Sequence, residues 1–93
     1  MEDTWKPQYT IKTTKRGGRE IINISGQTII RLVSEDVISK WDGRKVRNTK
    51  RHLDSISDNV HSFGSSEAIR AHDYMFQALQ RRLRAIRAQE QMS

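Results

Sequence analysis

The sequence predicts an α+β fold, in which a β-hairpin, with or without a third short strand, precedes a short helix and a helical hairpin with a long last helix. Two observations carry this prediction. Residues rich in β-branched side chains lie on both sides of the Gly17-Gly18 pair, and those before it also alternate. Apolar residues then recur at spacings of three and four through the C-terminal half. At 93 residues the chain has room for one small domain, with residues 1–7 expected to be flexible, 8–33 β-rich and 34–93 helical.

The N-terminal part contains two strand patterns joined by a turn. Residues 8–14 alternate, with Tyr9, Ile11 and Thr13 on one side. The Gly17-Gly18 pair suits a turn that needs positive φ, and strand-like composition resumes over 20–24. A second turn signal, Ser25-Gly26, precedes residues 28–33, which fit either a third strand or the opening of a helix.

Two helices are expected in the middle of the chain. Ser34 followed by two acids is typical of a helix start and predicts a short helix over about residues 35–42, with Gly43 as its stop. Asn48 or Thr49 is the expected cap of the second helix. One face of that helix carries Leu53, Ile56, Val60 and Phe63, and Gly64 ends it.

The third helix is predicted from Ser65-Ser66-Glu67 to the C-terminus, because no Gly or Pro interrupts this segment. It is longer than the second helix can cover, so we expect a second copy of the chain to share the surplus around Leu79, Leu83, Ile86 and Met92. The alternative is a monomer in which the last turns of the helix fray. The sequence therefore predicts a homodimer. The expected self-association residues form one apolar stripe: Ile69, His72, Phe76, Leu79, Leu83 and Ile86.

Composition indicates the class of partner. Only 34% of the residues are apolar, 17 Lys and Arg face 11 Asp and Glu, and the net charge is +6; the pI is about 10.2 and the mean hydropathy −0.80. An excess of positive charge favours nucleic acid as a partner.

The absence of cysteine excludes disulfides and thiolate metal sites. No segment is apolar enough to predict a membrane span, and a cytoplasmic or nuclear location is expected.

Two basic clusters are the candidate nucleic-acid contacts. The middle cluster, before His52, has no acid among its cations, and a helix start near Asn48 would add amide donors for a phosphate. Its members are Arg44, Lys45, Arg47, Lys50 and Arg51. The hairpin tip contributes Lys15, Arg16 and Arg19. A third group, Arg81, Arg82, Arg84 and Arg87, lies toward the end of the last helix, where the helix dipole alone favours cations.

No catalytic or cofactor-binding pattern is present. His52, His61 and His72 lack the spacing of a metal site, and His72 lies on the apolar stripe, where packing is the simpler role. Glycine-rich phosphate loops, zinc-finger spacings and aromatic RNA-binding motifs are all missing. The sequence thus predicts a protein that is not an enzyme, with no metal and no cofactor.

One faint resemblance supplies an alternative architecture. A strand over 28–33, followed by Ser34-Glu35-Asp36 and later by Ser65-Ser66-Glu67, is similar to ribbon-helix-helix DNA-binding proteins. The two helix starts lie further apart than in that fold, and an extra hairpin precedes the strand.

Two functions follow from these observations. The first is a small, dimeric DNA- or RNA-binding protein that contacts phosphates as a regulator or sequestering protein. The second is a protein-interaction module, such as a viral, phage or mobile-element inhibitor or adaptor, that docks its amphipathic helix on a larger protein.

Overall fold

The computed structural model describes residues 6–92 and confirms the α+β prediction. Residues 1–5, most of the segment expected to be flexible, lie outside the described part. The elements are β1 (Tyr9–Thr13), β2 (Arg19–Asn23), β3 (Thr28–Leu32), α1 (Glu35–Ile38), α2 (Gly43–Phe63) and α3 (Ser66–Met92). The ribbon-helix-helix alternative is not the architecture found, since β3 belongs to a three-stranded sheet and α1 has only four residues.

The three strands form an antiparallel sheet in the order β1-β2-β3, which decides the open question about residues 28–33 in favour of a strand. Both turns place a glycine at positive φ, Gly17 at 86° and Gly26 at 83°, where a side chain would be strained. The Asn23 side chain fixes the second turn, because its Oδ1 accepts hydrogen bonds from the backbone N–H groups of Ser25 and Gln27.

The two faces of the sheet differ in polarity. Ile11, Ile21 and Ile30 are register partners and share the face that packs on α3, and Ile21 and Ile30 are buried. On the opposite face the Glu20 carboxylate accepts a hydrogen bond from Thr28 Oγ1 at 3.0 Å and lies 3.5 Å from Arg31 Nε. One apolar face against the helices and one polar face is the usual pattern of a half-covered antiparallel sheet.

The boundary between α1 and α2 differs from the prediction. Helix α1 ends at Ile38 rather than near residue 42, and α2 begins at Gly43 rather than at Asn48 or Thr49. The reason is a cap: Asp42 Oδ1 accepts a hydrogen bond from the Lys45 backbone N–H at 2.8 Å. Gly43 is therefore the first residue of a helix and not the stop of the preceding one.

Helices α2 and α3 form the predicted hairpin. On α2, Val46, Leu53 and Val60 are buried at spacings of seven, while Ile56 is half-buried. Phe63, predicted for the same face, is instead 43% exposed because it lies in the last turn beside the corner. The facing side of α3 buries four small or apolar positions besides its leucines, namely Ala68, Ala71, Met75 and Ala78.

The corner of the helical hairpin is joined to the first strand. The Gln8 N–H donates to the Phe63 carbonyl at 2.7 Å, and the Ser65 N–H donates to the Tyr9 carbonyl at 2.8 Å. Between them, Gly64 has no room for a side chain, since a Cβ there would lie 2.3 Å from the Val60 carbonyl oxygen. Gly64 ends α2 as predicted: its backbone is extended, with ψ at 156°, and only glycine fits there without a clash.

Candidate nucleic-acid interface

The middle basic cluster lies on the first turns of α2, where its arginines and its lysines have different surroundings. Arg44, Arg47 and Arg51 follow one another at spacings of four or fewer residues, which places them on one exposed side of the helix. Within residues 6–92, no ion pair or hydrogen bond joins these three guanidinium groups to an acid. We call Arg44, Arg47 and Arg51 the arginine face.

The two lysines of the cluster lie against aromatic rings instead. Lys45 Nζ is 4.5 Å from the centroid of the Trp41 ring. Lys50 Nζ is 5.0 Å from the centroid of the Phe76 ring and 3.8 Å from Asp54 Oδ2. Lys50 is thereby committed to the packing of α2 on α3, whereas Lys45 remains exposed.

The expected anion site at a helix N-terminus near Asn48 is wrong. Asn48 lies in the second turn of α2, where the backbone N–H groups bond within the helix. At the true N-terminus, the carboxylate of Asp42 already occupies the position that a phosphate would take. The cluster can therefore bind an anion through its side chains only.

A groove at the seam of α2 and α3 adds a residue that was not among the predicted contacts. It measures about 280 Å³ and combines Arg47, Lys50 and Arg51 of α2 with Arg87 of α3, beside Leu83 and Asp54. The available signal was that Arg87 follows Leu83 by four residues and therefore shares its side of α3. The antiparallel pairing of the helices extends the arginine face onto α3.

The hairpin tip is exposed and lies beside α3. Lys15, Arg16 and Arg19 are exposed and line a groove of about 460 Å³ with Arg31. Arg19 also lines a second groove, of about 650 Å³, with Arg70 of α3 and the exposed Tyr74. The structure thus brings the tip together with Arg70 rather than with the middle cluster.

Two residues of the third basic group bond to other elements of the fold, and two do not. Arg81 forms two hydrogen bonds with the Glu35 carboxylate, at 2.6 and 3.1 Å. Arg82 Nε donates to the Trp41 carbonyl at 3.0 Å. These bonds hold α1 and the loop after it on α3, while Arg84 and Arg87 remain exposed.

The Glu35–Arg81 pair makes stability depend on pH. The hydrogen bonds from Arg81 hold the pKa of the Glu35 carboxyl below its usual value of 4.5. A lowered pKa in the folded state adds stability above the unfolded value and loses it as pH falls through the folded value. We expect Glu35→Gln to lower the urea midpoint slightly at about pH 7, with the difference shrinking as pH falls below the usual pKa of 4.5. A difference that stays constant between about pH 6 and pH 3 would contradict the assigned role of the pair.

The stripe expected to associate with a second chain is largely covered within one chain. Leu79, Leu83 and His72 are buried, and Ile69, Phe76 and Ile86 are half-buried. The earlier start of α2 explains this burial, because Val46 and its neighbours extend the second helix along α3. Leu79 and Leu83 are buried within one chain and therefore no longer support a homodimer. Self-association stays a prediction.

His72 has a packing environment. Its Nε2 donates to the Leu53 carbonyl at 2.8 Å, and its ring meets that of His61 edge to face, with centroids 5.3 Å apart.

Over residues 6–92, no group of three or more acidic or histidine residues is placed to hold a metal ion. In the same part of the chain, no helix combines the length and apolarity needed to cross a membrane.

Comparison with known proteins gives no analogue for this arrangement: no family model, curated protein or solved structure matches the chain. A function is therefore inferred from the geometry of this chain alone.

Proposed function

We propose that this protein binds the phosphate backbone of nucleic acid through the arginine face of α2, without catalysing a reaction, as a regulator or sequestering protein of the cytoplasm or nucleus. The observation that carries the proposal is the outward orientation of Arg44, Arg47 and Arg51, none of which is paired with an acid in the described residues. Arg87 and the hairpin tip supply further cations.

The spacing of the arginine face suits a phosphate backbone. Arg44 and Arg51 are seven residues apart, a rise of about 10 Å along the helix. Arginine side chains reach beyond their backbone positions, so neighbouring guanidinium groups can contact successive phosphates of one strand. Phosphate contacts of this kind position a protein without reading base sequence. We therefore expect binding to depend strongly on salt and weakly on sequence.

Burial favours this function over a module that docks its amphipathic helix on another protein. The apolar side of α3 is already covered by α2 and the sheet, with Leu79 fully buried and Leu83 nearly so. A docking helix needs a free apolar face. Such a face would have to be uncovered by separating α2 from α3.

The proposal predicts that the arginine face controls the salt dependence of binding. We expect the variant Arg44→Gln, Arg47→Gln, Arg51→Gln to bind duplex DNA more weakly than the parent protein. The slope of log affinity against log salt should fall by about 0.9 for each phosphate that the variant no longer neutralises. The measurement is fluorescence anisotropy of a labelled duplex of about twenty base pairs between about 50 and 200 mM salt, repeated with duplex RNA.

The matched control removes the same charge elsewhere. Lys6, Lys12 and Lys40 are exposed and lie outside α2, so their joint replacement by glutamine should change the slope little. An equal fall in affinity for both variants would indicate diffuse attraction rather than a site. No binding by the parent protein at about 50 mM salt would refute the proposal.

A further inference from the structure

A groove runs along the outer edge of β3, between that strand and α2. It measures about 580 Å³, a size typical of sites for small molecules. Ile29 of β3 and Val33, the residue after that strand, line it together with Trp41, and Asn48 and Thr49 of α2 add polar side chains. The groove therefore combines an apolar surface with hydrogen-bonding groups, and none of the three residues of the arginine face lines it.

The charged residues that line this groove are cations. They are Lys45 and Arg31. His52 also lines the groove, and no acidic residue does. The Arg31 side chain is 76% exposed although it is paired with Glu20, whereas Lys45 has no acidic partner within residues 6–92. An occupant that carries negative charge is favoured.

Trp41 is positioned to receive an aromatic ring. Its backbone is held by the bond from Arg82, and its ring is half-buried against the core. The exposed side chain of Lys45, which lines the same groove, covers this ring with its Nζ 4.5 Å from the ring centroid. A flexible lysine can move aside toward a phosphate while a planar base takes its place over the indole.

The edge of β3 is poorly suited to an added peptide strand. The register of β3 with β2 shifts beside Ile29, which faces no partner residue. The Ile29 carbonyl already receives a hydrogen bond from His52 Nε2 at 2.7 Å. An incoming strand needs a regular edge with open carbonyl and N–H groups, so side chains rather than backbone pairing should hold the occupant.

We infer that the β3–α2 groove binds a nucleotide of a single-stranded nucleic acid, with the base stacked on Trp41 and a phosphate on Lys45. Asn48 and Thr49 face the same groove and can hydrogen-bond the edge of the base. This inference rests on the proposed function, since it adds a site for single strands to a protein that binds the phosphate backbone.

The test uses the fluorescence of Trp41. The chain has two tryptophans, so Trp5→Phe leaves Trp41 as the single indole. We expect a single-stranded oligodeoxyadenylate of about ten nucleotides to quench this fluorescence to saturation, because a stacked base quenches indole emission. Tripolyphosphate, which offers charge without a base, should leave the emission unchanged.

Matched variants assign the signal to the groove. Lys45→Gln should weaken binding of the oligodeoxyadenylate about fivefold. Lys40→Gln removes an exposed lysine that neighbours Trp41 in the chain but does not line the groove, and it should alter the affinity less than about twofold. The arginine-face variant should keep the quenching, because its residues do not line this groove.

The results separate this site from the proposed function. Duplex binding without quenching by the oligodeoxyadenylate would overturn the groove and leave the proposed function intact. Quenching without duplex binding would overturn the proposed function and leave the groove site intact. If an oligoglutamate peptide perturbs Trp41 at a lower concentration than the oligodeoxyadenylate does, the occupant is an acidic peptide and the inference is wrong.

Discussion

Replacing Leu79 with aspartate is expected to unfold the protein. The Leu79 side chain is 0% exposed and packs in the core formed by α2, α3 and the sheet. A carboxylate there would be buried without a partner, at a cost of more than about 4 kcal/mol, which approaches the whole stability of a small domain. Far-UV circular dichroism should show loss of helix at about 25 °C, where the parent protein is folded.

The control for this substitution is Met92→Asp, on the same helix. Met92 is 87% exposed, so the same change of charge should alter the free energy of unfolding by less than about 0.5 kcal/mol. A milder variant, Leu79→Ala, should remain folded but be destabilised by about 2–5 kcal/mol. If Leu79→Asp instead keeps its helical spectrum and only halves the sedimenting mass, Leu79 lies between two chains and its burial within one chain is wrong.

Gly64→Ala should be the most damaging change of a single methyl group at a glycine. The new Cβ would lie 2.3 Å from the Val60 carbonyl oxygen and 3.2 Å from the Val60 carbonyl carbon, so the backbone must move. That movement would disturb the flanking hydrogen bonds to Phe63 and Ser65. We expect destabilisation by about 3 kcal/mol and a fall in Tm of at least about 10 °C, measured by calorimetry.

Gly43→Ala provides the matched comparison. The nearest atom to a Cβ at Gly43 is Arg47 Nη1 at 3.1 Å, at the end of a flexible side chain that can shift. Alanine also favours helix over glycine, so this variant should be neutral or slightly stabilising. Equal destabilisation at Gly43 and Gly64 would show that the close approach to Val60 does not control the corner.

The sequence predicted best those elements whose signals are local. The strands flanking Gly17 and the long run of α3 follow from turn chemistry and from uninterrupted periodicity. The start of α2 was missed because glycine is common after a helix and also tolerated at its first turn. The deciding feature was Asp42, whose capping carboxylate determines which role Gly43 takes. Residues 28–33 stayed ambiguous because only pairing with β2 distinguishes a strand from a helix start in so short a run.

The candidate site was predicted in composition but not in arrangement. The run of basic residues in the sequence locates the site in the chain. It does not show that Arg47 points outward and Lys50 inward, because those directions depend on where α2 begins. The contribution of Arg87 depends on the antiparallel pairing with α3. The groove beside β3 is lined by Trp41 and by residues of a strand that precedes it in the chain. No local sequence pattern predicts that these residues lie together.

The two hydrogen bonds between the first strand and the corner at Gly64 connect positions more than fifty residues apart in the chain. Such contacts close a long loop, which costs conformational entropy. Strand β1, which already pairs with β2, is thus also bonded along its other edge to the corner between the two long helices. Because these bonds and the shared core join the β-rich part to the helical part, we expect the two parts to unfold together, so that a cut between β3 and α1 releases no independent domain.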